Sequence, residues 1–225
     1  SMSNRYVIKF SKTGYVKYTS HLDLLRMFKR AFKKADLGLS YSQGFNPHPQ
    51  MSFASALAMG WASTAELMDI KLTGSVDPDH ALEQMRSALP PEMPVYSCRL
   101  VEDRHPALMA NLVMADYRVE LKGADAEKII GAVDSYLAEE TVMGVRKTKS
   151  GEKEVNIRPQ TIALSVQDNV LCARLMLTPE DTLKPDTLVG ALAARSGAVD
   201  YESSICRTAL LTRREGGEVV DLMEL

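Results

Sequence analysis

The chain has 225 residues, of which 45% are hydrophobic and 25% charged, with a formal net charge of −2 at pH 7. That length accommodates one large domain or two small ones, each with its own core, and the composition is that of an ordinary soluble globular protein. It excludes a membrane-spanning helix, since no apolar run approaches the roughly 18–20 residues that a bilayer requires, and the N-terminus lacks a signal-peptide pattern. Cys98, Cys172 and Cys206 are scattered with no C-x-x-C pair, which argues against a zinc ribbon or an iron–sulfur site. Such thiols fit a reducing cytoplasm, the expected location.

The near-neutral total hides an asymmetry. Residues 1–50 carry nine Lys/Arg against two Asp/Glu, residues 51–140 carry seven against fifteen, and residues 141–225 carry eleven against twelve. The bulk pI is therefore uninformative about polyanions, whereas the basic first segment points towards them.

In chain order, residues 6–10 (YVIKF) alternate and are β-branched, the pattern of a strand. Lys12-Thr13-Gly14 makes a turn, after which residues 15–18 extend the strand or pair as a short ribbon. A helix runs from about His21 to Ala35, with Gly38 near its stop. Residues 39–50 are irregular, held by Gly44, Pro47 and Pro49. Residues 51–59 read as a mostly buried strand and residues 66–72 (ELMDIKL) as another. Pro78 suits the first turn of a helix reaching about Ala88, Pro90-Pro91 stop it, and residues 95–101 form a last strand. The order β-α-β-β-α-β is that of a ferredoxin-like unit.

The second half repeats the order without repeating the residues. A strand over 117–121, a helix over 125–139, an extended hairpin-like stretch over 142–166, a strand over 170–177, a helix over 185–195 and a closing strand over 205–211 are expected. The fold class is thus α+β, two tandem ferredoxin-like (βαββαβ) units with antiparallel sheets, over residues 4–103 and 116–212. A Gly- and Glu-rich tail, residues 213–225, is expected to fray. A single mixed α+β domain is the alternative architecture.

Residues 20–60 say most about function. Ser20 is a good N-cap, and Asp23 completes an S-x-x-D capping box. At 3.6 residues per turn, Leu24, Leu25, Phe28, Ala31, Phe32 and Ala35 gather on one side of the helix, and Arg26, Lys29, Arg30, Lys33 and Lys34 on the other. A solvated face is the plain reading of such a stripe. Here only Asp23 offsets it, and cations that repel one another without i,i+4 partners indicate an anion-binding face.

The loop Tyr41-Ser42-Gln43-Gly44-Phe45-Asn46-Pro47-His48-Pro49 sets His48 between two prolines, which fix backbone angles and remove donors. Gly44 permits a positive φ. A stiff loop loses little entropy on binding, which suits recognition. The plain alternative has Phe45 pinning the loop to the core and His48 as an ordinary surface histidine. His21, Tyr41, Ser42, Gly44, Phe45, Asn46 and His48 are the candidate substrate-recognition residues.

Catalytic patterns are weak. His21 shares a side with Leu25 and Phe28, a place where a packed core edge is commoner than a ligand. Asp23 lies about 160° round the helix from it, so a His21, His48 and Asp23 metal set is rejected. No G-x-S-x-G elbow, Walker loop or G-x-G-x-x-G occurs. Glu66 and Asp69 face opposite sides of one strand and form no acid/base pair. No catalytic residue, metal or cofactor is assigned. A second basic cluster, Arg146, Lys147, Lys149, Lys153 and Arg158, flanks a turn at Lys149-Ser150-Gly151. Its arms form either a β-ribbon that tracks a nucleic-acid groove or a solvated hairpin. Pro159 ends that ribbon and orients Arg158 inward, as a clamp for phosphate or carboxylate.

Taken together, Ser20-His21-Leu22-Asp23, the basic helix, the 41–49 loop, Ser52-Phe53-Ala54, Glu66 with Asp69, the run Asn156-Ile157-Arg158-Pro159 and Cys206-Arg207-Thr208 resemble the bacterial DUF2344 family, also described as radical-SAM-linked proteins. The resemblance implies a domain fused to, or encoded beside, a radical-SAM protein, among ribonuclease and ribosomal-protein genes. It supplies no established activity. This chain has no C-x-x-x-C-x-x-C motif, so it would be the separate accessory half. The expected function is a non-catalytic RNA-binding or substrate-presenting module, working with a radical-SAM enzyme on tRNA or rRNA and not with a membrane. Two alternatives stand: an RNA-modifying or processing enzyme using His21, His48 and Arg158, and a protein–protein adaptor whose basic helix docks on an acidic partner.

Overall fold

The computed structural model describes residues 3–225. The chain is a mixed α+β protein and falls into two units, one of the described residues up to Leu112 together with Arg214–Leu225, the other Val113–Arg213.

In the first unit β1 (Ser3–Lys12), α1 (His21–Lys34), β2 (Met51–Phe53), β3 (Ala62–Thr73), α2 (Pro78–Ala88), β4 (Val95–Val101) and α3 (Leu108–Asn111) follow in chain order. β1 is central, antiparallel to β3 with Ile8 opposite Met68, and antiparallel to β4 with Ile8 opposite Cys98. β2 pairs antiparallel with the other side of β3, giving the spatial order β4-β1-β3-β2. Pairing on both edges satisfies the backbone of β1, and successive residues Tyr6, Val7 and Ile8, which point to opposite faces of the sheet, are all buried, as is Phe10, so both faces are covered here.

α1 forms as its cap and period require. The Ser20 hydroxyl accepts from the Asp23 N–H at 3.1 Å, and Leu24, Phe28, Ala31 and Phe32 are buried. The Phe28 ring meets Phe10 edge-on with centroids 5.0 Å apart, and Phe53 joins both. Edge-to-face aromatic pairs of this kind add about 0.5–1.5 kcal/mol each beyond area burial. The helix stops at Lys34, because Asp36 takes a left-handed φ of 57° and the Leu37 N–H turns back to the Phe32 carbonyl at 2.8 Å. Gly38 follows shortly after this stop, near where it was expected. It lies against β3, where a Cβ would collide with Thr73 Oγ1.

Three expectations for this unit need correction. Residues 14–18 wind a 3-10 turn rather than extending β1 or pairing as a ribbon, with the Thr19 N–H on the Val16 carbonyl at 2.9 Å. The strand expected over 51–59 is only Met51–Phe53. Beyond Phe53 the Ala54 N–H still reaches the Leu67 carbonyl, but the chain then bends away, leaving Met59 exposed. The tail does not fray: β11 (Val219–Asp221) and a 3-10 turn at Leu222–Glu224 bury Val220 and Leu222, and Arg99 donates to the Met223 and Leu225 carbonyls at 2.8 and 3.0 Å.

The second unit contains β5 (Met114–Lys122), α4 (Ala126–Gly131), α5 (Val133–Ala138), β6 (Met143–Thr148), β7 (Gly151–Asn156), β8 (Thr161–Gln167), β9 (Val170–Met176), α6 (Pro185–Ser196) and β10 (Glu202–Arg213). β5 lies between β10 and β9, and β8 pairs β9, all antiparallel, so the order is β10-β5-β9-β8. Instead of one helix over 125–139 there are two short ones, broken at Ala132, whose N–H bonds the Ile129 carbonyl in a tightened turn. The extended 142–166 stretch resolves into the β6–β7 ribbon followed by β8. The root of the ribbon is fixed by a very close approach. Gly144 lacks a Cβ where one would lie 2.9 Å from Ile157 Cγ2 and 3.3 Å from Thr187 Cγ2 of α6.

Candidate functional site

α1 presents its charge outward. Arg26, Lys29, Arg30, Lys33 and Lys34 are all exposed. Arg26 pairs with Asp23 at 3.1 Å, one turn back and with both side chains about 60% exposed, so this bridge is screened and weak. Among the described residues no ion pair forms at Lys29, Arg30, Lys33 or Lys34, so the acidic middle of the chain does not neutralise them. Four uncompensated cations within two helical turns make a concentrated positive field, which water and salt screen only in the absence of a closer anion.

That face continues into a groove of about 490 Å³ lined by Lys29, Arg30, Lys33, Asp36, Leu39 and Tyr41, with Phe32 and Leu37 behind. Asp36 is the acid in this lining, and the geometry that ends the helix puts it there. Tyr41 is half-exposed and stands at the neck of the 41–49 loop. The neck is closed by an antiparallel bridge between Tyr41 and Pro49, by the Ser42 N–H on the His48 carbonyl at 2.8 Å, and by the His48 N–H on Ser42 Oγ at 3.0 Å. Ser42 is thus a clamp within the loop. Gly44 takes a φ of 121°, which a side chain would strain, and turns the tip outward. Phe45 at that tip is wholly exposed, so the reading in which it pins the loop to the core is overturned. Asn46 and His48 are exposed beside it.

His21, exposed at the start of α1, sets its ring edge-on to Phe53 with centroids 5.1 Å apart. Among the described residues no group of three His, Cys, Asp or Glu side chains is placed to hold a metal ion. Two exposed features of the first unit were not singled out in the sequence. Leu22, four residues before Arg26 and seven before Lys29, sits on the cation side of α1, and its spacing was the available signal. Tyr18 is exposed with Lys17 Nζ 5.2 Å from its ring centroid, a pairing that no periodicity announces.

In the second unit the ribbon forms as expected, with Lys149-Ser150 as its two-residue turn. Arg146 stands directly opposite Lys153, and Lys147 opposite Glu152, so one face of the ribbon is basic and the other mixed. Arg146, Lys147 and Lys184 join Asp186 and Thr187 around a second groove of about 510 Å³ between the ribbon and α6. Lys149 is exposed in the turn. Arg158 is a correction. Its guanidinium faces inward, but onto the chain itself: Nη1 donates to the Thr161 carbonyl at 3.1 Å and Nη2 to the Leu137 carbonyl at 3.2 Å, over the Tyr136 ring. The cation ties α5 to the start of β8, and its Nε is buried without a partner. A guanidinium held on two backbone carbonyls does not present the open fork that a bidentate anion clamp needs. Burial holds the nearby Tyr136 phenol above its usual pKa, opposed by its hydrogen bond with Thr161 and by Arg158.

No helix is long and apolar enough to cross a membrane among the described residues. An unknown protein from Galdieria sulphuraria is 13% identical in solved structure comparison, covering 92% of this chain and 99% of that one, at a TM-score of 0.31. A structure titled "putative glycine cleavage system transcriptional repressor" is 10% identical, covering 98% and 99%, at a TM-score of 0.24. Likenesses at these scores carry no argument about fold or function. No curated protein matches the chain. The stretch that holds the basic helix, the proline-framed loop and the ribbon is nonetheless a family signature: residues 5–185 match the family described as "Uncharacterized protein conserved in bacteria (DUF2344)", and the chain belongs to it.

Proposed function

We propose that the chain is a non-catalytic RNA-binding or substrate-presenting accessory module whose phosphate-binding face is α1. The observation that carries this reading is the set of four exposed cations, Lys29, Arg30, Lys33 and Lys34, that form no ion pair among the described residues, the first three of which line a groove edged by Tyr41. A polyanion turns their mutual repulsion into attraction and gains entropy by releasing its counterions. The strand orders β4-β1-β3-β2 and β10-β5-β9-β8 support ferredoxin-like form for the two units, with the β6–β7 ribbon an insertion into the second. In this reading Arg146, Lys147, Lys149 and Lys153 add a second, weaker contact. The family resemblance supplies the rest of the proposal: a radical-SAM enzyme as partner, acting on tRNA or rRNA in the cytoplasm. The Arg158 contacts speak against the rival enzyme reading, because that residue is already engaged by carbonyls of its own unit.

Salt dependence tests the reading. Four phosphate contacts at about −0.7 each give a log–log slope near −3, so affinity for RNA falls roughly 50-fold between 50 and 200 mM salt. Replacing the four residues by alanine flattens the slope and abolishes most binding. A flat salt response of the unaltered protein, or undiminished binding by the variant, overturns the proposal.

A further inference from the structure

Granted that α1 is the phosphate-binding face, a reading on which this inference rests, the loop beyond the groove narrows the class of RNA. We infer that the RNA is taken as an unpaired single strand, with Tyr41 and Phe45 as stacking platforms for its bases. Three observations converge. Phe45 is wholly exposed, so the fold gives up the free energy that burying its ring would supply. Nothing about the loop explains this as slackness, because its neck is closed by the Tyr41–Pro49 bridge and by two hydrogen bonds between Ser42 and His48. Finally, Tyr41 is both the neck of the loop and a wall of the groove that Lys29, Arg30 and Lys33 line, so aromatic and cationic groups share one surface.

The pairing of these groups selects the ligand. A cationic groove flanked by aromatic rings is what a single strand needs, since phosphates follow the cations while each base offers a π-face to a ring. In an A-form duplex those faces are buried in the stack, and the major groove is too deep and narrow for side chains to read. A projecting phenylalanine has no base face to meet there. An acidic protein surface would satisfy the cations but gives no reason for one aromatic ring in the groove wall and a second exposed on the loop that leads from it.

The test is fluorescence anisotropy with the full chain and two labelled probes, a single strand of about 12 nucleotides, within the range such grooves track, and a duplex of that strand with its complement. The strand binds more tightly than the duplex at equal salt. Tyr41→Leu with Phe45→Leu keeps the apolar character but removes both rings, and weakens strand binding roughly 30-fold or more while leaving the salt slope unchanged. Both side chains are exposed or half-exposed, and an unchanged melting temperature verifies that the fold survives. Equal affinity for the duplex, or a double variant within twofold of the parent, overturns the single-strand inference and leaves the RNA reading intact. Absence of binding to either probe overturns both.

Discussion

Arg5→Met should destabilise the first unit more than any change on the surface of α1. The Arg5 guanidinium donates Nε to both Asp69 oxygens at 2.9 and 3.0 Å, and its Nη groups reach Asp69 and the carbonyls of Asp103, His105 and Pro106. The side chains are 9% and 17% exposed, so solvent cannot replace the missing partner. Methionine keeps the stem and removes every donor. An uncompensated, nearly buried carboxylate costs about 3–5 kcal/mol, which for a chain of this size lowers the melting temperature by roughly 6–20 °C. The assay is thermal and urea unfolding of Arg5→Met, Asp69→Leu and the double variant. The double variant should regain part of the loss, because it removes the stranded charge, but not all of it, because three carbonyls remain without a donor. An Arg5→Met protein within about 1 kcal/mol of the parent refutes the reasoning, since such a value belongs to a screened surface pair.

Gly144→Ala should cost about 1–3 kcal/mol by overpacking against Ile157 and Thr187, and speed hydrogen exchange at the root of the ribbon, where the Ile157 N–H meets the Val142 carbonyl. Gly190→Ala in α6 has no heavy atom within 4 Å of the new Cβ and should instead stabilise by up to about 1 kcal/mol; the two opposite signs are read in one denaturation series. Asp125 accepts from the Asp200 and Val199 N–H groups, which, with Lys128, hold its carboxyl at about 2. A folded-state pKa below the unfolded one means stability that is complete above about pH 4 and lost as pH falls towards 2. Asp125→Asn should therefore flatten the acid limb of the stability–pH curve over that window, and an unchanged limb counts against the assignment.

What could be read in the sequence was what local physics decides. The α1 helix followed from Ser20, Asp23 and a clean 3.6 period, α2 from Pro78, and the ribbon from the turn expected at Lys149-Ser150-Gly151. The cation stripe was legible for the same reason. That Lys29, Arg30, Lys33 and Lys34 form no ion pair was not, because that depends on where acids distant in sequence end up. The Arg5–Asp69 pair spans 64 residues and leaves no local trace. Residues 51–59 misled because an apolar run without alternation fits a strand or a packed bend equally well. The 41–49 loop left two readings open, a stiff recognition loop or one pinned to the core by Phe45, and the full exposure of the Phe45 ring, which no local pattern announces, removes the second. For Arg158 the inward orientation set by Pro159 was foreseen, but the acceptors proved to be the chain's own carbonyls rather than a ligand's oxygens.

The most direct measurement is ultraviolet cross-linking of the native protein in its host, followed by sequencing of the attached RNA and mass spectrometry of the attached peptides. The account predicts recovered RNA joined to peptides that cover residues 26–34 and 41–48. Recovery of no RNA, or of adducts confined to segments remote from α1 and its neighbouring loop, contradicts it.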